Sequence, residues 1–225
     1  MSDFGAAYGA ARSRISDIAL AQTENALAKQ VPACPAWSVK DLVAHVTGIA
    51  ADMSAGNVGA AGSDEWTEAQ IEARRDKSID AIVEEWEQVG SQIDGALEHI
   101  HPAAAGATVG DVVTHEHDLR GALAMPGARD SEGVGIALDT YVRWLGRRIR
   151  EKGLPTLEVH SEGRSWRAGK EEPAGSVTGP SFELLRALTG RRTKDEIRRL
   201  DWSLDPEPFL EIFSAYGHPE GPLGE

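Results

Sequence analysis

Apolar residues recur at helical spacing through the first two thirds of the chain, and they alternate with polar residues after about residue 154. The first pattern predicts helices over about 3–29, 39–53, 67–100, 108–124 and 131–152. The second predicts a hairpin over 156–167, followed by short helices around 182–188 and after Thr193. The chain is therefore predicted to be mainly α, with a helical domain (1–153) followed by a small α+β unit (154–217). The Pro and Gly content of the tail (218–225) predicts disorder.

Short polar motifs mark where several of these helices begin. Ser38 with Asp41, and Thr193 with Glu196, have the spacing of a capping box. Thr108 is the expected cap of the fourth helix. The two prolines between Val31 and Trp37 predict an extended turn ahead of the second helix.

Composition narrows the classes of partner. The 225 residues are 41% hydrophobic, enough for a sizeable core, and the formal net charge is -13, from 36 acidic and 23 basic residues. This charge disfavours nucleic acid and anionic membrane as partners, because both would be repelled. No stretch approaches the roughly 20 apolar residues that span a bilayer. We expect a cytoplasmic monomer or homodimer that acts on small molecules.

The single cysteine, Cys34, excludes an internal disulfide and any Cys-rich zinc module. Its position in a turn favours a small packed hydrophobe. Any metal site in this chain must therefore use histidine and carboxylate ligands.

Three residues form a candidate metal-ligand set. Asp111 and His115 stand four apart and so share one face of a predicted helix, and His45 lies beside the apolar stripe of another. A carboxylate with two imidazoles can hold a metal ion and leave positions open for substrate. The set exists only if the two helices pack together in a bundle. A satisfied core histidine at His45 and a surface ion pair between Asp111 and His115 are the alternatives.

Other polar residues near His115 have different expected roles. Asp118, three positions on, could hydrogen-bond the second ring nitrogen of His115, or pair with Arg120 or another cation. Glu116 and His117 point roughly 100° or more away from His115 on an intact helix, so they cannot join the same ligand set.

Two runs resemble a known family. They are Cys34-Pro-Ala-Trp-Ser-Val-Lys-Asp-Leu-Val-Ala-His45 and His115-Glu-His-Asp118-Leu, and they resemble motifs of the mycothiol-dependent maleylpyruvate isomerase family of the DinB-like superfamily. The resemblance implies a four-helix bundle whose divalent metal, usually zinc, is held by His, Glu and His, with a smaller sterol-carrier-like domain behind it. It assigns the metal to His45, Asp111 and His115.

The same resemblance shows where this chain departs from the pattern. Asp111 stands in place of the family's glutamate and is one methylene shorter, and His117 stands where tryptophan is common. A match at Gly190-Arg191 implies an arginine that reaches the site. Arg191, from this match, and Asp118, from its spacing to His115, are the candidate catalytic residues.

The function implied is that of a metal-dependent, thiol-using enzyme. Mycothiol, or another low-molecular-weight thiol, would bind as a thiolate and attack an electrophilic small molecule, in an S-transferase or isomerase reaction. One alternative is a non-catalytic metal-binding or regulatory protein built on the same bundle. Another is an apolar-ligand carrier that uses the C-terminal unit, which contains Val159, Trp166, Phe182 and Leu185.

Overall fold

The computed structural model describes residues 3–225, which divide into two compact units: residues 3–127 with Glu225, and residues 128–224. The first unit contains α1 (Phe4–Leu20), α2 (Glu24–Leu27), β1 (Gln30–Val31), β2 (Cys34–Ser38), α3 (Val39–Ala55), α4 (Asp64–Glu72), α5 (Ile79–Ala96) and α6 (Pro102–Leu123). The second contains α7 (Glu132–Glu151), β3 (Leu157–Ser161), β4 (Arg164–Ala168), β5 (Gly175–Thr178), α8 (Ser181–Leu188), α9 (Lys194–Arg198), β6 (Asp201–Trp202) and α10 (Glu207–Phe213). Among the described residues, no helix is long and apolar enough to cross a membrane.

The first unit is a four-helix bundle of α1, α3, α5 and α6, which confirms the fold class expected from the sequence. Each helix turns its apolar stripe inward, where burial of one aliphatic side chain stabilises the fold by roughly 1.5–3 kcal/mol. The buried residues include Ile15, Ile18, Leu42, Val43, Val46, Ile82, Val83, Val109, Val113 and Leu119. This packing places α3, which carries His45, against α6, which carries Asp111 and His115.

Two helices expected to be continuous are interrupted. The first ends at Leu20, and the chain restarts as α2, where the Thr23 hydroxyl accepts a hydrogen bond from the Ala26 amide. The region 67–100 forms two helices, α4 and α5, and Ser78 caps the second of them. Side-chain caps inside a periodic stretch therefore start new helices that the periodicity alone does not reveal.

The start of α6 also differs from the expectation. The helix begins at Pro102, because proline at the first position has its backbone φ already set for a helix. Thr108 consequently lies inside α6, and its hydroxyl donates to the Ala104 carbonyl instead of capping the helix. The capping boxes at Ser38 and Thr193 are confirmed.

The second unit is the small α+β unit expected after the bundle. Its sheet has the order β4-β3-β5-β6, in which β3 and β5 run parallel and the other pairs run antiparallel. The predicted hairpin is the β3–β4 pair, with Val159 opposite Trp166.

The helix α7 packs against α8, β4 and α10, so the compact units divide between Gly127 and Ala128, ahead of the boundary expected at residue 153. After α10, residues 218–225 contain neither helix nor strand. Nε2 of His218 nevertheless lies 2.9 Å from the Leu210 carbonyl oxygen.

We expect the Tyr8 hydroxyl to stabilise the bundle core. Fully buried Trp86 donates its indole N–H to that hydroxyl over 3.0 Å, so Tyr8→Phe leaves a buried donor unpaired. The free energy of unfolding in urea should fall by about 1–3 kcal/mol. Tyr216→Phe, at a residue that is 62% exposed, is the matched control and should change it by less than about 0.5 kcal/mol. Equal losses in both variants would contradict the assignment.

Candidate metal centre

The first ligand candidate, His45, is placed by the start of α3. The capping box of Ser38 and Asp41 fixes where the helix begins, and β1 pairs with β2 as a short antiparallel ladder in the segment expected to be a turn. Trp37, next to the cap, lies against the His45 ring with 4.8 Å between ring centroids. His45 itself is only 5% exposed.

The other candidates project from one face of α6. Asp111, His115 and Asp118 are spaced four and three residues apart, which brings their side chains together along an α-helix. Oδ1 of Asp111 lies 3.7 Å from Nε2 of His115, and Nδ1 of His115 lies 3.1 Å from Oδ2 of Asp118. The Asp118 side chain is fully buried, whereas that of Asp111 is 38% exposed. The cluster is therefore closed on the Asp118 side and open on the Asp111 side.

The bundle brings the two faces together. His45, Asp111 and His115 each offer a ligand atom, and these atoms lie within 4.8 Å of one another. The His45 and His115 rings meet edge to face, 5.2 Å apart, and Trp37 lies 5.8 Å from the His115 ring. Two imidazoles and a carboxylate, brought this close, match the donor set of a catalytic zinc site.

Both imidazoles already have a partner at Nδ1. Oε1 of Gln70 lies 2.9 Å from Nδ1 of His45, and Asp118 occupies the equivalent position on His115. Metal-binding histidines normally have such a partner on the nitrogen that does not bind the metal. The ring atoms left for a metal ion are therefore the two Nε2 atoms. Together with the Asp111 carboxylate, they form a donor set that suits a divalent cation.

The two histidines have opposite electrostatic environments. Burial, assisted by the charge of His115, lowers the pKa of His45 to about 4, although Asp111 and the Gln70 contact act in the other direction. Burial also acts to lower the pKa of His115, but the Asp111 charge and the hydrogen bond to Asp118 outweigh it and raise that pKa to about 10. Without a metal ion, His115 is thus a buried cation between two carboxylates, and His45 is neutral.

A second group of possible ligands shares His115. Cys34, His115 and Asp118 also offer ligand atoms within 4.8 Å of one another, and the Cys34 thiol lies 3.8 Å from Oδ2 of Asp118. Cys34 is half-buried, so it borders the centre and is not an ordinary core residue.

Sequence reasoning did not place Cys34, Trp37 or Gln70 at the site. Cys34 and Trp37 directly precede the Ser38 cap of the helix that carries His45. That short distance along the chain could have indicated that they lie near the site. Gln70 gave no signal, because it lies on a separate helix, 25 residues from His45.

Glu116 has a structural role on a different side of α6. It is fully buried and accepts hydrogen bonds from the guanidinium groups of Arg14 and Arg120. The guanidinium group of Arg120 therefore pairs with Glu116. His117 is buried and belongs to neither of the two ligand groups found among the described residues.

Arg191 lies in the second unit. It is buried, donates to the Thr189 carbonyl oxygen, and has its guanidinium carbon 6.0 Å from the centre of the Tyr216 ring. Its expected role at the centre stays a prediction.

Comparison with solved structures supports the fold. The mycothiol-dependent maleylpyruvate isomerase has 16% sequence identity and a TM-score of 0.58, and a histidine-to-alanine variant of it has 14% identity and a TM-score of 0.60. Each match covers 89% of this chain and 91% of the solved chain. No curated protein matches the sequence.

A family model, the mycothiol maleylpyruvate isomerase N-terminal domain, matches residues 8–132. This is more than half of the chain, and it includes His45, Gln70 and the α6 cluster. The chain therefore belongs to the mycothiol maleylpyruvate isomerase N-terminal domain family.

Proposed function

We propose that the chain is a metal-dependent enzyme that uses mycothiol, or a similar low-molecular-weight thiol, to isomerise or conjugate an electrophilic small molecule. The observation that carries the proposal is the convergence of His45, Asp111 and His115, with both Nδ1 atoms already engaged. Family membership supports mycothiol as the thiol, and the two solved structures bear that cosubstrate and activity in their names.

Nε2 of His45, Nε2 of His115 and a carboxylate oxygen of Asp111 would hold the divalent cation, for which zinc is our choice. Such a cation supplies a Lewis acid that lowers the pKa of a bound thiol, which makes it nucleophilic near neutral pH. Three protein ligands leave room for an exchangeable fourth position, as catalytic zinc sites require.

The surrounding residues would orient and shield this chemistry. Asp118 holds the His115 ring through Nδ1, and the Trp37 ring covers both imidazoles and limits the access of water. The half-exposed Asp111 marks the side from which thiol and electrophile would enter. If the electrophile carries an anionic group, we propose that Arg191 binds it, on the basis of the sequence match at Gly190-Arg191.

Metal content tests the ligand set. Protein purified without a histidine tag or chelator should contain about one equivalent of divalent metal per chain by mass spectrometry. His115→Ala should lose most of it, because a monodentate carboxylate and one imidazole are too few ligands. His99→Ala, at an exposed histidine, is the matched control and should retain the metal. A folded wild type that contains no metal and rejects added zinc would overturn the ligand set.

Metal affinity should rise with pH. With a pKa of about 10 in the metal-free protein, His115 carries a proton that the metal must displace, whereas His45, at about 4, is already neutral. Between about pH 6 and 9 the association constant should increase about tenfold per pH unit, with about one proton released per metal ion. Calorimetric titration in buffers of different ionisation enthalpy measures this number. Release of no proton would contradict the expected charge state.

Turnover tests the enzyme itself. The metal-loaded protein should catalyse thiol-dependent isomerisation of maleylpyruvate, followed by absorbance, or consumption of mycothiol by an electrophile, followed by free-thiol assay. His115→Ala should lose at least about a hundredfold in rate, and His99→Ala should behave as wild type. A protein that binds metal but supports neither reaction would be the non-catalytic metal-binding alternative.

A further inference from the structure

Three residues on one face of α3 lie beneath the side chain of Gln70. His45, Gly48 and Asp52 are spaced three and four residues apart, so they form a line along the helix. The Gln70 amide lies above this line, because α4 packs against α3. Its Oε1 is 2.9 Å from Nδ1 of His45, and its Nε2 is 2.7 Å from Oδ2 of Asp52. One amide thus connects the buried imidazole to a carboxylate.

Asp52 determines which way this amide faces. An ionised carboxylate only accepts hydrogen bonds, so the NH₂ group of Gln70 must point to Asp52 and its carbonyl oxygen must point to His45. That oxygen can only accept, so the hydrogen of a neutral His45 ring must sit on Nδ1. Nε2 then has its lone pair free, which is the state a metal ligand needs.

We propose that Asp52 and Gln70 form a relay that fixes the His45 tautomer, with Gln70 as a positioning residue that presents unprotonated Nε2 to the metal. The metal-binding consequence of this relay depends on the proposed function, whereas the tautomer itself does not. The relay is distinct from the support of His115, which comes from a carboxylate on the same helix.

Gly48 makes the relay sterically possible. A Cβ at this position would lie 2.5 Å from Cβ and 2.6 Å from Cγ of Gln70, distances at which one of the groups must move. A side chain at position 48 would therefore displace Gln70 relative to His45.

The end of α4 is held in place from another direction. The Arg74 side chain donates to the main-chain carbonyl oxygen of Gln70 over 2.9 Å and pairs with Glu85 on α5. The relay therefore joins α3, α4 and α5, and its backbone is anchored independently of the amide that contacts His45.

The tautomer is measured on metal-free protein at neutral pH by ¹⁵N NMR of the imidazole nitrogens, with His45 assigned by its loss in His45→Ala. Wild type should show His45 protonated at Nδ1. Asp52→Asn should let the Gln70 amide reverse and should produce a mixture of tautomers. A wild-type ring protonated at Nε2 would overturn the relay, whether or not the protein binds metal.

A charge-swapped pair of substitutions separates the relay from general packing. Gln70→Glu alone places two carboxylates together, and it should reduce zinc affinity by about 10–100-fold. Asp52→Asn combined with Gln70→Glu provides an amide that donates to the new carboxylate, whose other oxygen can accept from Nδ1. This double variant should regain most of the affinity and the Nδ1-protonated tautomer. A double variant as impaired as the sum of the single variants would contradict the relay.

Matched controls complete the experiment. Gln88→Glu makes the same chemical change at an exposed position on α5 and should leave the tautomer and zinc affinity unchanged. Gly48→Ala should reproduce the Asp52→Asn tautomer mixture, whereas Gly95→Ala, where an added Cβ meets nothing within 4 Å, should not. A correct tautomer in a wild type that binds no zinc would support the relay and overturn the proposed function.

Discussion

A buried imidazole needs a partner for its second nitrogen, and this requirement organises the first unit. Neither His45 nor His115 has enough exposure for water to serve that purpose. The partners are Asp118, from the same helix as His115, and Gln70, from the separate helix α4. The bundle sets the distance between the rings, and these partners set which ring atoms face each other. Without them the same helix packing would leave two unsatisfied imidazoles in a core.

The groups around the two rings give the histidines different charges. Burial and the charge of His115 lower the pKa of His45, and Asp111 and the neutral amide of Gln70 offset them only in part. The carboxylates Asp111 and Asp118 flank His115, and together they stabilise its protonated form. The metal-free centre therefore resembles an ion pair, one of the alternatives left open by the sequence. Under the proposed function, the ion pair and the metal site would be two states of the same residues, because a cation could take the place of the proton on Nε2 of His115.

Local periodicity explains why much of this centre could be predicted from the sequence. The spacing of Asp111, His115 and Asp118 determines their common face once α6 is helical, and the Ser38 capping box determines where α3 starts. The contact with Gln70 could not be predicted, because periodicity identifies the face of a helix but not the residue that covers it. The break between α4 and α5 was missed for a related reason. The apolar positions continue at helical spacing across Ser78, so the pattern did not indicate that a new helix begins there. It therefore did not reveal that Gln70 lies on a separate helix.

The two parts of the proposed function, metal binding and recognition of the electrophile, have different support. Residues 8–132, the range matched by the family model, include His45, Gln70, Asp111, His115 and Asp118, so the metal chemistry rests on one compact unit. Arg191, the candidate for binding an anionic co-substrate, lies outside that range and in the other unit. Sequence identity of 14–16% to the solved isomerase supports the fold and does not extend to the identity of the electrophile. The proposed metal ligands and the candidate for binding an anionic co-substrate are therefore encoded in different units.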